Sequence, residues 1–412
     1  MLSGRDIILI SSIEWDFNWQ GHQEIARRLA EAGNRVLYIE NMGVRAPGLH
    51  DAKRVALRFS HWAKALPDGG VRQVSTNLYV CSPLILPPFG SRIRHQLNKR
   101  ALLPLIRRTV RSLRFEPEVI WTLLPTDTVA SLVKMLRKPQ GIVVYYCIAD
   151  FAELAPNPKD ILKSERSIIE MSDVVFAQGP QLAEHCSGGS KEVEVFPFGV
   201  DLSVFAARNG HPNGSKDSAT GSRHDSALDQ MSTLPRPIIG YVGGIHRFFD
   251  AEMLATMARA RPNWSWVLVG PLQTPVRELK RIPNVYLVGA KTHEELPDYI
   301  RGFDVGIVPY LSNNYTATVV PTKINEYLAM GKPVVSTNLP EVSTFKRKHG
   351  VIITSPNDST EFVASIERAI DSSADEAAVT RRQTVAALND WKERFERMSC
   401  LIEQELRKKR HT

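Results

Sequence analysis

The stretch IIGYVGGIHRFFDAEMLATMARARPNWSWVLVGP, residues 238–271, decides how this chain folds. It continues as VYLVGA (285–290), FDVGIVPY (303–310) and VVPTKINEYLAMGKPVVSTNLPEV (319–342). Short β-branched apolar runs alternate with segments of helical period, the layout of a parallel βα sheet. In the last piece Lys323 and Glu326 fall on the first turn of a helix that follows a loop, three residues apart and therefore on one face. Thr322 stands where its hydroxyl can cap that helix. Free N–H groups and the positive dipole end at such a terminus suit a phosphate.

Working outward, 412 residues exceed one ordinary domain and suggest two of roughly 150–200 residues. Residues 1–205 read as the first, with strand candidates at 7–13, 36–40, 78–81, 118–122, 142–147, 173–178 and 193–197. Residues 206–235 are rich in Gly, Ser, Asn and Asp and lack an apolar period, so they read as a flexible linker or insertion. The second domain then covers 236–385. The tail reads as helical from Asp375 to Arg407, and 386–412 is set apart as a C-terminal helix, with Trp391, Phe395, Met398, Ile402 and Leu406 spaced by three and four.

Composition is that of a soluble globular protein, 43% hydrophobic and 23% charged. The four cysteines, Cys81, Cys147, Cys186 and Cys400, are widely spaced without a C-x-x-C pair. That spacing argues against a disulfide framework and a structural zinc, and a reducing cytoplasm fits it. No apolar run approaches the ~20 residues of a membrane span. IILISSI (7–13), followed at once by Glu14 and Asp16, reads as a first strand rather than a signal peptide.

Net charge is +8, and residues 69–115 hold nine basic side chains and no acidic one, so the excess sits in that segment. Leu102, Ile106, Val110 and Leu113 take one helical face there, while Arg100, Arg107, Arg111 and Arg114 mostly take others. One reading is a basic amphipathic helix on an anionic membrane surface, where each cation contributes ~1 kcal/mol. The other is an ordinary helix packed on the sheet with a solvated basic face. Nucleic acid is disfavoured, because the segment has no interleaved aromatics and no recognised binding motif.

In the order YVGG, WSWVLVGP, NVYLVGAKTHEELPDYIRGFDVGIVPY and PTKINEYLAMGKPVVST, the C-terminal half resembles the donor domain of GT-B glycosyltransferases of the family 4-like, group 1 type. IILISSI, HQEIARRLAEAG and VLYIE resemble the first βαβ of the partner domain, and VFPFGVDLSVF (195–205) resembles the segment that ends it. The resemblance implies an α/β fold of two Rossmann-like, doubly wound domains facing a cleft, with the last helix crossing back to the first. It implies that Lys323 meets the donor diphosphate together with Thr322, Gly243, Gly244 and Arg247, that Glu326 accepts the ribose hydroxyls, and that Gly289 lies at the base. Two departures stand out. Thr318 occupies the place of a second glutamate carried by retaining members, and Gly244 the place of an arginine for which Arg247 could substitute. Outside this match, Lys323 and Glu326 would read as a surface ion pair.

On the acceptor side, Asp150 in VVYYCIADF follows an apolar strand and stands at its carboxyl end, where a carboxylate can act as general base. It can equally cap the next helix. His22, with Gln20 and Gly21, sits where the first strand turns into the first helix, either as a second catalytic candidate or as a plain helix residue. Trp19, alternating with Trp15 and Phe17, could stack on a sugar, dip into lipid or cover the core. No D-x-D and no His/Cys cluster with ligand spacing occurs, so no metal and no cofactor is expected.

The expected activity is metal-independent transfer of a hexose from a nucleoside-diphosphate sugar, UDP-linked by family frequency. The expected acceptor is a hydroxyl of a lipid-linked saccharide or polysaccharide precursor at the inner membrane face. A GT-B-fold UDP-sugar epimerase and a nucleotide-sugar-binding protein that has lost transfer are the alternatives. A nicotinamide enzyme is disfavoured, since SSIEWDFNWQGHQ (11–23) lacks G-x-G-x-x-G.

Overall fold

A computed structural model describes residues 2–40, 70–83, 92–188, 192–206 and 231–411. The chain divides into two compact units: Met1–Pro197 with Phe395–Thr412, and Phe198–Arg394. Each is built on its own sheet.

The first unit holds β1 (Asp6–Ile10), α1 (Gly21–Glu31), β2 (Arg35–Ile39), β3 (Val71–Ser75), β4 (Leu78–Cys81), α2 (Arg92–Ser112), β5 (Val119–Thr122), α3 (Asp127–Leu136), β6 (Ile142–Cys147), α4 (Pro158–Met171), β7 (Val174–Ala177), α5 (Pro180–Ser187) and β8 (Glu194–Val195). Its strands run in the order β3-β4-β2-β1-β5-β6-β7-β8. All pairs are parallel except β3 with β4. Because helices cover both faces of the central strands, β1, β2, β5 and β6 are buried along almost their whole length. This is why they read as unbroken apolar runs rather than alternating ones. The edge strand β3 was not among the strand candidates. Its VRQVS alternates in burial, and Asn77, at φ +63°, turns the chain back into β4.

On α2 the residues Leu102, Ile106 and Val110 are buried, while Arg100, Arg107 and Arg111, and Arg114 just beyond the helix, face solvent. Lys99 pairs with Asp127 of α3 at 2.5 Å. The apolar stripe of this helix is thus used within the unit.

The second unit holds α6 (Leu202–Phe205), β9 (Ile238–Val242), α7 (Ala251–Ala260), β10 (Ser265–Val269), β11 (Val285–Gly289), α8 (Leu296–Gly302), β12 (Val305–Val308), α9 (Asn314–Ala317), α10 (Lys323–Ala329), β13 (Val334–Thr337), α11 (Pro340–His349), β14 (Ile353–Ser355), α12 (Ser359–Asp371) and α13 (Glu376–Ala387). Its sheet is parallel throughout, in the order β11-β10-β9-β12-β13-β14. Strand order reverses between β9 and β12, the point at which open α/β sheets leave a crevice at their carboxyl ends. Most of the expected linker, residues 207–230, lies outside the described residues, and Met231 already belongs to this unit's core.

The tail is two helices rather than one. The chain breaks at Asn389 and Asp390 between α13 and α14 (Trp391–His411). Residues 395–412 belong to the first unit. There Met398, Ile402 and Leu406 are buried, Arg5 pairs with Glu403 at 3.0 Å, and Lys409 with Asp173 at 2.7 Å.

Candidate functional site

At the carboxyl edge of the second sheet, the turn after β9, Gly270 after β10, Gly289 at the end of β11, Tyr310 after β12 and the start of α10 are carried by consecutive βα elements. The turn is pinned from below. Gly243 N–H donates to Val269 O at 2.9 Å, and Tyr241 Oη donates to Gly244 O at 2.9 Å. Ile245 N–H reaches Pro271 O at 2.9 Å. Gly243 itself takes φ +123°, and a side chain there would point at Lys323 Nζ.

Lys323 is the buried cation of this edge, 8% exposed. Its ammonium donates to Tyr310 Oη at 2.6 Å and lies over the rings of Tyr241 and Tyr310, at 5.0 and 4.9 Å. Two aromatic faces and one hydroxyl hold the charge without neutralising it, so it stays available to an anion. Glu326, half-buried one turn on, has its carboxyl raised by burial and pulled back down by His293 and Lys323. A carboxylate so placed is a hydrogen-bond acceptor between two cationic or polar neighbours.

Two expectations about this helix are corrected. Thr322 is itself helical (φ −57°, ψ −35°), and its hydroxyl makes no capping bond. The first-turn amides are also largely used: Ile324 N–H donates to Pro321 O, and Asn325 and Glu326 N–H to Thr322 O. The chain enters through a tight turn that continues the helix backwards, so its donors are spent inside. With only seven residues in α10, the ammonium rather than the dipole supplies the positive charge.

Arg247 is exposed on the same turn, its guanidinium 4.7 Å from the Phe248 ring centroid. Phe248 stacks on Tyr315 at 4.4 Å and 21°. His246 lies 5.1 Å from Tyr310 and accepts from Phe248 N–H through Nδ1 at 3.2 Å. Thr318 ends α9, its hydroxyl donating to Tyr315 O at 3.0 Å.

In the first unit, Gly21 and His22 open α1 after the β1 turn, with Gln20 N–H donating to Gln23 Oε1 at 3.1 Å. His22 is 1% exposed and its Nε2 is 3.0 Å from Ser12 Oγ. Burial pushes its imidazole down to about 3, so the ring is neutral at any physiological pH. Trp19 Nε1 donates to Glu24 Oε2 at 3.1 Å and its ring meets Trp15 edge-on at 5.9 Å. Asp150 Oδ1 accepts from Ala152 N–H at 3.0 Å and Glu153 N–H at 3.4 Å. That is the capping geometry foreseen as the alternative to a base.

All four cysteines are free thiols, and Cys81, Cys147 and Cys186 are buried. Cys147 at the end of β6 and Cys186 on α5 meet Glu165 of α4, with ligand atoms all within 4.8 Å. Chain spacing is blind to this, because βα topology brings distant segments to one edge.

Residues 236–372 match the family described as glycosyl transferases group 1. The second unit carries a glycosyl transferases group 1 domain. Among curated relatives, TuaH of Bacillus subtilis, named as a teichuronic acid biosynthesis glycosyltransferase, is 29% identical over 254 residues, 60% of this chain and 59% of its own. A D-inositol 3-phosphate glycosyltransferase of Nocardiopsis dassonvillei is 24% identical over 240 residues, 52% of either chain. The chain thus spans between half and three-fifths of the length of these relatives. Sucrose-phosphate synthase of Thermosynechococcus elongatus shares the fold with TM-score 0.70 at 18% identity, covering 97% of this chain and 98% of that one. The HepE protein of Anabaena in complex with UDP does so with TM-score 0.63 at 15% identity, covering 97% and 100%. The architecture is GT-B, with two Rossmann-like units.

Within the group 1 domain, the residues that reasoning from sequence missed are Tyr241, Tyr310, Tyr327 and His293. Tyr327 Oη accepts from Val242 N–H at 2.9 Å and so fixes the strand end that launches the turn. A signal existed for Tyr310, which follows the apolar run VGIVP, where a core residue with a polar tip is out of place unless the tip has work.

Proposed function

We propose that this chain transfers a hexose from a nucleoside-diphosphate sugar, UDP-linked, to a hydroxyl of a lipid-linked saccharide or polysaccharide precursor, without a metal ion. The observation that carries the reading is the buried seating of Lys323 against the Gly243 turn, with its ammonium hydrogen-bonded to Tyr310 rather than to a carboxylate. Departure of a nucleoside diphosphate builds negative charge on its phosphates. A cation already fixed in a low-dielectric site stabilises that charge without reorganising. In this reading Lys323 and the backbone of Gly243 and Gly244 meet the diphosphate, and Arg247 adds a second, exposed cation. Glu326 accepts the ribose hydroxyls, Gly289 leaves room for the base, and Asp150 and His22 serve the acceptor side. HepE was solved with UDP, and TuaH is named for teichuronic acid biosynthesis; both support the reading proposed.

Thermal unfolding with UDP, GDP, ADP and dTDP, each with and without EDTA, tests the donor site. A ligand bound only by the folded state raises stability by RT ln(1 + [L]/Kd), so UDP at a hundred times Kd adds about 2.7 kcal/mol. The expected result is an increment with UDP that is the same in EDTA. No increment with any diphosphate, or one abolished by EDTA, would overturn the reading.

The acceptor class is tested through α2. The open arginines on it and just beyond it, Arg100, Arg107, Arg111 and Arg114, should make the protein co-sediment with anionic vesicles, in a salt-sensitive way. Arg107→Glu with Arg111→Glu should abolish this while leaving the UDP increment intact. Equal binding to neutral vesicles, or none to anionic ones, would remove membrane contact from the proposal.

A further inference from the structure

The first unit contains a cluster that the proposed transfer does not use. Cys147 closes β6, Glu165 lies midway along α4, and His185 and Cys186 are consecutive on α5. Cys147, Glu165 and Cys186 are buried, and His185 is partly exposed at the rim. Cys147 Sγ is 3.7 Å from Glu165 Oε1, and His185 Nε2 is 2.8 Å from Glu165 Oε2.

We propose that Cys147, Glu165, His185 and Cys186 form a structural zinc site. Four ligands of the types thiolate, thiolate, carboxylate and imidazole are a closed set for Zn²⁺, which takes tetrahedral N, O and S donors. At ordinary bond lengths, sulfur and oxygen on such an ion stand about 3.5 Å apart, two sulfurs about 3.8 Å, and nitrogen and oxygen about 3.3 Å. The 3.7 Å between Cys147 and Glu165 already matches, and the Cys186 ligand atom lies within 4.8 Å of both. The His185–Glu165 contact must open, from 2.8 Å, by about half an ångström, as the imidazole turns toward the thiols. Tyr145 Oη donates to Glu165 Oε1 at 2.5 Å, the kind of outer hydrogen bond that orients a ligand carboxylate.

The metal-free cluster is costly for what it does. It buries a carboxylate and two thiols where apolar side chains of the same volume would serve the core as well or better. A bound ion gives those groups a common purpose, tying β6, α4 and α5 together beneath the 148–151 loop that carries Asp150. Binding replaces both thiol protons. Affinity therefore rises with pH.

The test uses the full chain, reduced and stripped of metal, with Zn²⁺ and Co²⁺ alone as probes. Expected are one equivalent of Zn²⁺ retained through dialysis, and a Co²⁺ complex with thiolate-to-cobalt charge-transfer absorption that Zn²⁺ bleaches. Cys147→Ser and Cys186→Ser should each lose that band, and a Zn²⁺-induced rise in unfolding temperature should vanish with it. The proposal is overturned if folded wild-type protein takes up no Co²⁺ with a thiolate band, or if the band survives in both serine variants. Since the wild-type measurement needs no variant to fold, the outcome stands either way. The cluster belongs to the first unit and Lys323 to the second, so zinc can fail while the UDP increment holds, and the reverse.

Discussion

Lys323→Ala should lower the affinity for a nucleoside diphosphate by ten- to a hundredfold and remove the thermal increment at ligand concentrations that saturate the wild type. A hydrogen bond to a charged group contributes about 1.5–3 kcal/mol, and at 8% exposure this ammonium is little screened by solvent. Removing it leaves Tyr310 without its donor but strands no partner carboxylate at bonding distance, so the fold should survive. Lys323→Met, which keeps the stem between the Tyr241 and Tyr310 rings, should bind as poorly as the alanine variant and unfold closer to the wild type. Tyr310→Phe should show a smaller loss, because it frees the ammonium without deleting it. Calorimetric titration with UDP checks all three. An unchanged Kd in Lys323→Ala would remove this residue from the donor site.

Gly270→Ala should be the most damaging single methyl in the second unit. Gly270 holds φ +153°, and a Cβ there would stand 1.9 Å from the Gly243 carbonyl oxygen. The obstacle is backbone, and it belongs to the turn that seats Lys323, so neither side can yield without moving the other. Overpacking against backbone of this kind costs about 3 kcal/mol, and the surviving folded protein should also bind UDP more weakly. Gly289→Ala is the control. Its φ of +84° is strained for a side chain, but nothing lies within 4 Å of the added methyl, so about 1–2 kcal/mol is expected. Denaturant midpoints of the two variants decide it, and equal stability would mean that the Gly243–Gly270 contact does not set the turn.

How much of this was readable beforehand follows from the kind of signal each residue gives. The buried strands β1, β5, β6 and β9 were legible because a strand covered on both faces must be apolar at every position. Edge strand β3 was not, since half of it faces water. Lys323 and Glu326 were found because a helix fixes the geometry of residues three apart. Thr322 misled, because a hydroxyl before a helix looks the same whether it caps or, as here, has already entered the turn.

What the sequence determined by itself was therefore local and periodic: two runs of βα elements, the lysine–glutamate pair on one helix face, and the arginine stripe of α2. Tertiary structure decided where side chains far apart in the chain meet. It set Tyr241 and Tyr310, from two different strand ends, on either side of Lys323. It folded Asp150 onto Ala152 and Glu153. It gathered Cys147, Glu165 and Cys186 from three elements. Parallel strands joined by helices place residues tens of positions apart at one sheet edge, and no spacing along the chain records which of them converge.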